Sequence, residues 1–451
     1  MMEENNKKKN NFLIIVMILI VVISIVCFVI AYKNHDLESD NNVIENSTNN
    51  SESVNTDTST SSDLGTKTLT GNNITSGGSY TIEGNSDAIT INTSDNVELI
   101  LDNAIITNNS GPCINIVKAK LVTITLKGES KLTSNTNEEL DGAIYSKSDL
   151  ILTGDGSITV NSNLDGIVSK DSLVIENGTY IINSDDDGIR GKDSIEIKNG
   201  TFNITAGGDG IKSTNEEDTS LGYITIENGT FVINSVNDGI DAVTNLKISN
   251  GVFNIKTTGD SSTDSTKGIK AGTLITLTSA TFEINSKDDG IHSNGDISIN
   301  SGTYKVNSSD DAIHADGMCE INGGTINIVA GEGIEATYVK INDGTMNISA
   351  SDDGINAGNK SNAYSVKIEI NGGNITINMG SGDTDAIDSN GDLTITGGTI
   401  NITGKSSFDY DGTLKHTGGT IIVNGQETTQ ITNQMMGGGM TGPSGRRGGR
   451  W

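Results

Sequence analysis

Between residues 69 and 433 the chain alternates apolar and polar residues in short runs, broken at even intervals by Gly-containing turns. Ile297-Ser298-Ile299-Asn300 is one such run; Ser301-Gly302 follows, then Thr303-Tyr304-Lys305-Val306-Asn307. Two-residue alternation is the mark of a half-buried strand, and Asn-Gly or Ser-Gly marks a turn. A third piece, a small residue followed by Ile, keeps the same beat at Asp165-Gly166-Ile167, Asp187-Gly188-Ile189, Asp209-Gly210-Ile211, Asp238-Gly239-Ile240 and Asp289-Gly290-Ile291. Ala replaces the Gly at Ala88, Ala143, Ala312 and Ala386. From Gly166 the small residue recurs at steps of 22, 22, 29, 29, 22, 22, 21, 21 and 32, so the unit is about 22 residues, with insertions such as 215–221 and 258–266. Repetition at a fixed period points to a solenoid. Three short strands per unit describe one coil of a three-sided parallel β-helix. The expected fold is therefore all-β and right-handed, as other parallel crossovers are, with about thirteen or fourteen coils at roughly 4.8 Å spacing.

Stacked coils place equivalent residues in columns. Ile167, Ile189, Ile211, Ile240, Ile291 and Ile313 make one interior column. Tyr180, Phe202, Phe231, Phe253, Phe282 and Tyr304 make another, continued by Ile326, Met346, Ile375, Ile400 and Ile421. So narrow a core needs few aromatics, which accounts for a content of only 4%. Two Pro in 451 residues suit a backbone whose N–H groups nearly all join ladders. Cys113 and Cys319 fall at interior places many coils apart, far beyond the roughly 7 Å Cα separation a disulfide tolerates. Both are expected as free thiols.

Ahead of the repeats, residues 12–32 are apolar and uncharged, and Lys7-Lys8-Lys9 precede them. About 20 apolar residues span a bilayer, and basic flanks stay in the cytoplasm. The expectation is a cytoplasmic basic segment (1–11), an N-terminal transmembrane helix acting as signal-anchor (12–32), a disordered polar linker (33–68), the β-helix (69–433) and a Gly/Met/Arg-rich disordered tail (434–451). The β-helix then lies outside the cell on a single-pass anchor, or is secreted if the segment is a cleaved signal peptide.

The chain carries 58 acidic against 29 basic residues, a net charge of −29. That argues against a nucleic-acid partner, whose phosphates need clustered Lys and Arg. The acids have a pattern. One precedes nearly every small residue, and a second stands beside it at Asp186, Asp288, Asp310 and Asp352; others follow the Ile at Asp241, Glu335 and Asp388. Two like charges one coil apart repel by roughly 0.9 kcal/mol even in bulk water. Turn-forming Asp explains one acid per coil, whereas Ca²⁺, which takes six to eight oxygens, would account for the doubled ones. The candidate calcium ligands are Asp186, Asp187, Asp209, Asp238, Asp241, Asp288, Asp289, Asp310, Asp311, Asp352 and Asp353. On the same edge stand Arg190, Lys212, Lys270, His292 and His314, candidates for carbohydrate contact, and Lys267, which replaces one acid. Ala in place of Gly implies that smallness rather than positive φ is needed there. Tight packing and close approach of an ion or sugar both satisfy that.

The unit Asp288-Asp289-Gly290-Ile291-His292, followed by Ser301-Gly302-Thr303-Tyr304, together with Met435-Met436-Gly437-Gly438-Gly439-Met440, resembles a clostridial-type family of cell-surface carbohydrate-binding domains. That family's right-handed parallel β-helix is similar to calcium-dependent pectate lyases. The resemblance covers roughly 69–442 and implies binding of cellulosic and acidic plant polysaccharides, with Ca²⁺ at the acidic positions before Gly-Ile. Lys267 and the arginines of the tail depart from its pattern.

Three functions compete. The first is a monomeric, membrane-anchored, non-catalytic polysaccharide binder that uses calcium on its acidic edge. The second is a polysaccharide lyase, in which Lys212 or Lys270 beside Asp209, Asp238 and Asp241 would supply a base and a cation site. The third is a structural adhesin or spacer presenting the outward column Thr179, Thr201, Thr230, Thr281 and Thr303. Outward-phased aromatics are few (Tyr145, Tyr223, Tyr338), which favours an acidic polymer over a neutral glucan.

Overall fold

A computed structural model describes residues 65, 67, 69, 71–263, 265–380 and 384–434. The expected cytoplasmic segment and anchor, most of the linker, and the tail from residue 435 lie outside them. Among the described residues no helix is long and apolar enough to cross a membrane.

Every regular element among the described residues is a strand. Ile189–Gly191, Ser194–Ile197 and Thr201–Ala206 follow one another, and each pairs in parallel with its counterpart one repeat later: Ile211–Ser213, Tyr223–Ile226 and Thr230–Ser235. The same offset of three strands runs through the molecule, which is the pairing of a parallel β-solenoid. Insertions sit at the turns and leave the pairing intact: residues 214–222 separate Ile211–Ser213 from Tyr223–Ile226, and 358–366 separate Ile355–Ala357 from Lys367–Ile370.

The columns form as the period requires. Tyr180, Phe202, Phe231, Phe253, Phe282 and Tyr304 stack with ring centroids 5.0, 4.6, 4.5, 4.6 and 5.5 Å apart, which measures the coil spacing directly. Each buried ring contributes about 1.5–3 kcal/mol from burial and about 0.5–1.5 kcal/mol more from stacking. The two terminal tyrosines keep their hydroxyls satisfied: Tyr180 Oη donates to the Asn177 carbonyl at 2.8 Å and Tyr304 Oη to that of Ser301 at 2.6 Å. Cys113 and Cys319 are buried free thiols.

Three features depart from a uniform three-strand coil. Near the start, the long strands Gly78–Ser86 and Asn96–Asn108 pair with each other, with a register shift between Glu83 and Gly84. Ile313–Ile321 and Ile334–Ile341 each run through a turn and cover two sides, with a register shift between Ala315 and Met318. At the end of the solenoid, Gln426–Thr428 folds back antiparallel on Thr420–Val423.

Candidate functional site

The acidic column is built inward. Asp165, Asp187, Asp209, Asp238, Asp289 and Asp311 are all buried. Asp165 starts the strand Asp165–Ser169 and its N–H reaches the Asp141 carbonyl; each of the others precedes a strand that starts at the Ile, so its backbone N–H lacks a regular ladder acceptor, and a buried N–H must find one. The carboxylate of the previous coil supplies it. Oδ1 of Asp165 accepts the Asp187 N–H at 3.0 Å, Asp187 that of Asp209 at 2.8 Å, Asp209 that of Asp238 at 2.7 Å and Asp238 that of Lys267 at 2.7 Å. The pattern resumes from Asp289 to Asp311 at 3.1 Å and from Asp353 to Asp385 at 2.9 Å.

At Asp165, Asp209, Asp238, Asp289 and Asp311 an oxygen also meets a cationic side chain. The residue just after each Ile forms an outward column in register, running Arg190, Lys212, Asp241, Lys270, His292, His314, Glu335. Arg190 Nη2 lies 2.6 Å from Asp165 Oδ2 and also holds Asp141. Lys212 pairs with Asp209, and Lys270 lies 3.5 Å from Asp238 and 3.4 Å from Asp241. His292 Nδ1 is 2.7 Å from Asp289, and His314 Nδ1 is 2.6 Å from Asp311 and 3.0 Å from Glu335. The two imidazoles stack 4.8 Å apart. Lys267, where the acid is missing, pairs with Asp288. Much of the repulsion expected of the column is thus offset by the protein's own donors and cations.

Electrostatics follow this pairing. Burial pushes Asp165 up to about 7 despite Arg190, and Asp187 and Asp241 up to about 6 despite nearby lysines. Burial alone would lower His314, yet Asp311 and Glu335 hold it up at about 10. Against its own burial, Glu335 is lowered to about 2 by His314 and Lys360. Toward the C-terminal coils the cations run out. Burial and the surrounding carboxylates raise Glu332 to about 7, Asp353 to about 6 and Asp388 to about 7; the charged neighbours of Asp388 are Asp353, Asp409, Asp385 and Asp411.

Of the candidate calcium ligands, Asp186, Asp310 and Asp352 are exposed. Asp186 converges with Asp165 and Asp187, and Asp310 with Asp288 and Asp289, each group offering oxygens within 4.8 Å of one another. Asp209, Asp238 and Asp289 instead spend one oxygen on a backbone N–H and the other on a side-chain cation, and Asp311 holds His314 with one oxygen. The basic candidates Arg190, Lys212, Lys270, His292 and His314 all lie down on carboxylates.

The small column is explained by packing. A Cβ at Gly188 would stand 2.5 Å from the Gly210 carbonyl oxygen, and one at Gly239 2.5 Å from that of Gly268. Tyr145, phased outward by sequence, is only 3% exposed, because it stacks in register against Val168 of the next coil. Lys367 Nζ lies 4.0 Å over the Tyr338 ring. Sequence reasoning missed Tyr364, on the 358–366 insertion, whose hydroxyl donates to Asp296 at 2.8 Å; the step of 32 in the repeat was its signal.

A second, uncharged ladder runs along the Asn-Gly turns. Asn177 Nδ2 donates to Asp155 at 3.0 Å, Asn199 to Asn177 at 3.1 Å, Asn228 to Asn199 at 3.0 Å and Asn250 to Asn228 at 3.2 Å. Gly178, Gly200, Gly229 and Gly251 follow with φ of 124°, 144°, 142° and 122°, a region only Gly enters freely. Together with Thr179, Thr201 and Thr230 they line an open groove of about 360 Å³.

Fold and site thus define a parallel β-solenoid with one charged and one uncharged stripe along its coils. A family model described as carbohydrate-binding domain-containing protein matches residues 70–336 and, overlapping, 311–440. The chain belongs to that family. Among solved structures, the polysaccharide lyase-like protein from C. thermocellum, as its gadolinium derivative, is similar at 25% identity, over 54% of this chain and 90% of that chain, with a TM-score of 0.37. No curated protein matches the chain.

Proposed function

We propose that the protein is an extracellular, membrane-anchored, non-catalytic polysaccharide binder, a right-handed coil that uses calcium to bridge its acidic edge to an acidic or plant-type glycan. Membership of the carbohydrate-binding family carries the first part of this reading. The calcium part is supported where carboxylates are left without a cation. Asp186 beside Asp187, and Asp352 beside Asp353, supply hard oxygen donors of the kind Ca²⁺ prefers; Asp310 adds an exposed carboxylate beside Asp288, which already pairs with Lys267. Asp209, Asp238 and Asp289 fit an ion poorly, because both of their oxygens are engaged. Bound at the exposed positions, calcium would supply positive charge to a uronate carboxylate. The test is affinity electrophoresis in pectate gels with Ca²⁺ and with EDTA: retardation in Ca²⁺ that EDTA abolishes is expected, and free migration in both overturns the reading.

The lyase alternative meets a specific obstacle. A lysine base must be neutral at working pH. Burial alone would lower Lys212 and Lys270, but Asp209 and Asp187 override it at Lys212, and Asp241 and Asp238 at Lys270, so both are raised instead. Neither lysine serves as that base.

A further inference from the structure

The Asn-Gly turns carry a feature that the charged edge lacks. Their carbonyls are consumed by the coil-to-coil ladder: Gly178 O accepts from Thr201, Gly200 O from Thr230, Gly229 O from Val252 and Gly251 O from Thr281, each at 2.9 Å. The N–H groups of those same glycines, on buried residues, meet no protein acceptor among the described residues. An N–H that opens on the groove without a protein partner is left to water or to a ligand acceptor. Asn177, Asn199 and Asn228 each spend one N–H and one oxygen lone pair on their neighbours and have one of each to spare. The Thr179, Thr201 and Thr230 hydroxyls make no hydrogen bond to the protein. The groove is therefore a row of hydrogen-bonding groups, renewed at every coil.

Asp155 stands at one end of the groove and is the one charged residue that lines it. Across Ser157–Ser162, Thr179–Ser184, Thr201–Ala206, Thr230–Ser235 and Val252–Thr257, Lys256 is the one charged residue, in a chain of net charge −29. Beside the threonines stand Ile181, Val232 and Val252, 37%, 41% and 52% exposed. Alternating hydroxyls, amides and small apolar patches match a pyranose chain, which presents hydroxyls at its edges and C–H groups on its faces. The volume, about 360 Å³, lies at the lower end of the ~300–1,000 Å³ usual for ligand sites, and the open ends suit a polymer. The coil spacing of 4.5–5.0 Å here is close to the length of one sugar in an extended chain.

We propose that the Asn-Gly-Thr turns form a second polysaccharide subsite, which takes an uncharged, extended glycan along the coil axis and needs no metal ion. It rests on the carbohydrate-binding reading and is independent of the calcium part. The test is co-sedimentation of the full chain, kept in non-ionic detergent with EDTA, with insoluble xylan, mannan and cellulose. The expected result is retention on at least one of them, weakened tenfold or more by the double variant Thr201→Lys/Thr230→Lys. Both threonines are exposed, so circular dichroism and melting should match the parent; Thr230→Glu alone is the second variant should the double one misfold. Failure of the parent to sediment with all three polymers, or equal sedimentation of a folded variant, overturns the subsite. Calcium-dependent retardation in pectate is scored in parallel and should be unchanged in the variants. Its absence with neutral binding intact defeats the calcium reading and leaves the subsite standing.

Discussion

The charged edge and the Asn-Gly turns are both side-chain ladders, one rung per coil, and they solve the stacking problem in opposite ways. A carboxylate only accepts, so its rungs must be held by backbone N–H groups on one oxygen and cations on the other. An Asn amide donates and accepts at once, so identical residues bond to each other without a counter-charge. The first ladder is largely closed on itself; the second leaves capacity over. In this molecule the density of charge and the availability of groups for a ligand are different things.

The sharpest test of that contrast removes one rung from each ladder. Asp238→Ala strips the acceptor from the Lys267 N–H and leaves Lys270 with Asp241 alone, and the expected loss is about 3 kcal/mol or more. Asn228→Ala, on an exposed turn, should cost about 1 kcal/mol. Urea unfolding followed by circular dichroism gives both, and equal losses would mean that the two ladders bear similar weight.

Glycines sharpen it next. Gly239→Ala puts a methyl 2.5 Å from the Gly268 carbonyl oxygen, an overpacking expected to cost about 2 kcal/mol. Gly229→Ala, with φ at 142°, should cost about 1–2 kcal/mol from backbone strain. The two differ in how they respond to a larger side chain: Gly239→Asn should be worse than Ala, whereas at Gly229 the φ of 142° penalises any Cβ and Asn should recover nothing.

Acidity separates the ladders further. Glu332, Asp353 and Asp388 sit at about 7, 6 and 7 in the folded chain, above ordinary carboxyl values of about 4. Folding therefore favours their protonated forms; that contribution is complete below about pH 4 and is lost as pH rises through 6 to 7. His314, raised to about 10, acts in the same direction, its contribution present below about pH 6.5 and gone above pH 10. In EDTA the melting temperature should fall from pH 5 to pH 8, and Asp388→Asn should flatten that fall. A rise over this range would contradict the assignment. The smallest effect belongs to the exposed pair Lys305–Glu283, 2.7 Å apart: replacing either by Ala should change stability by about 0.5 kcal/mol or less.

The solenoid was legible because a coil repeats its core residues at a fixed step, and Tyr180 to Tyr304 declare both the step and the inward phase. Even the insertions followed from irregular steps. The use made of Asp187 or Asp238 was not legible, since a sequence shows that acids stack but not which backbone N–H lies off the ladder beneath them. Nor could the sequence decide the small column, where Ala312 suggested room and the carbonyl above Gly188 shows its absence. Tyr145 misled for a related reason: alternation assigns the outward phase, but Val168 in the next coil covers it. The Asn-Gly pairs were read as turn formers, and their stacking into a groove depends on three-dimensional register.

The antiparallel strand Gln426–Thr428 has a consequence for assembly. A parallel solenoid left open at its last coil offers a row of unpaired backbone groups that any second copy could extend, the route by which strand edges grow into fibrils. By reversing direction over Thr420–Val423, the chain replaces that template on one side of the last described coil with a strand of the wrong polarity.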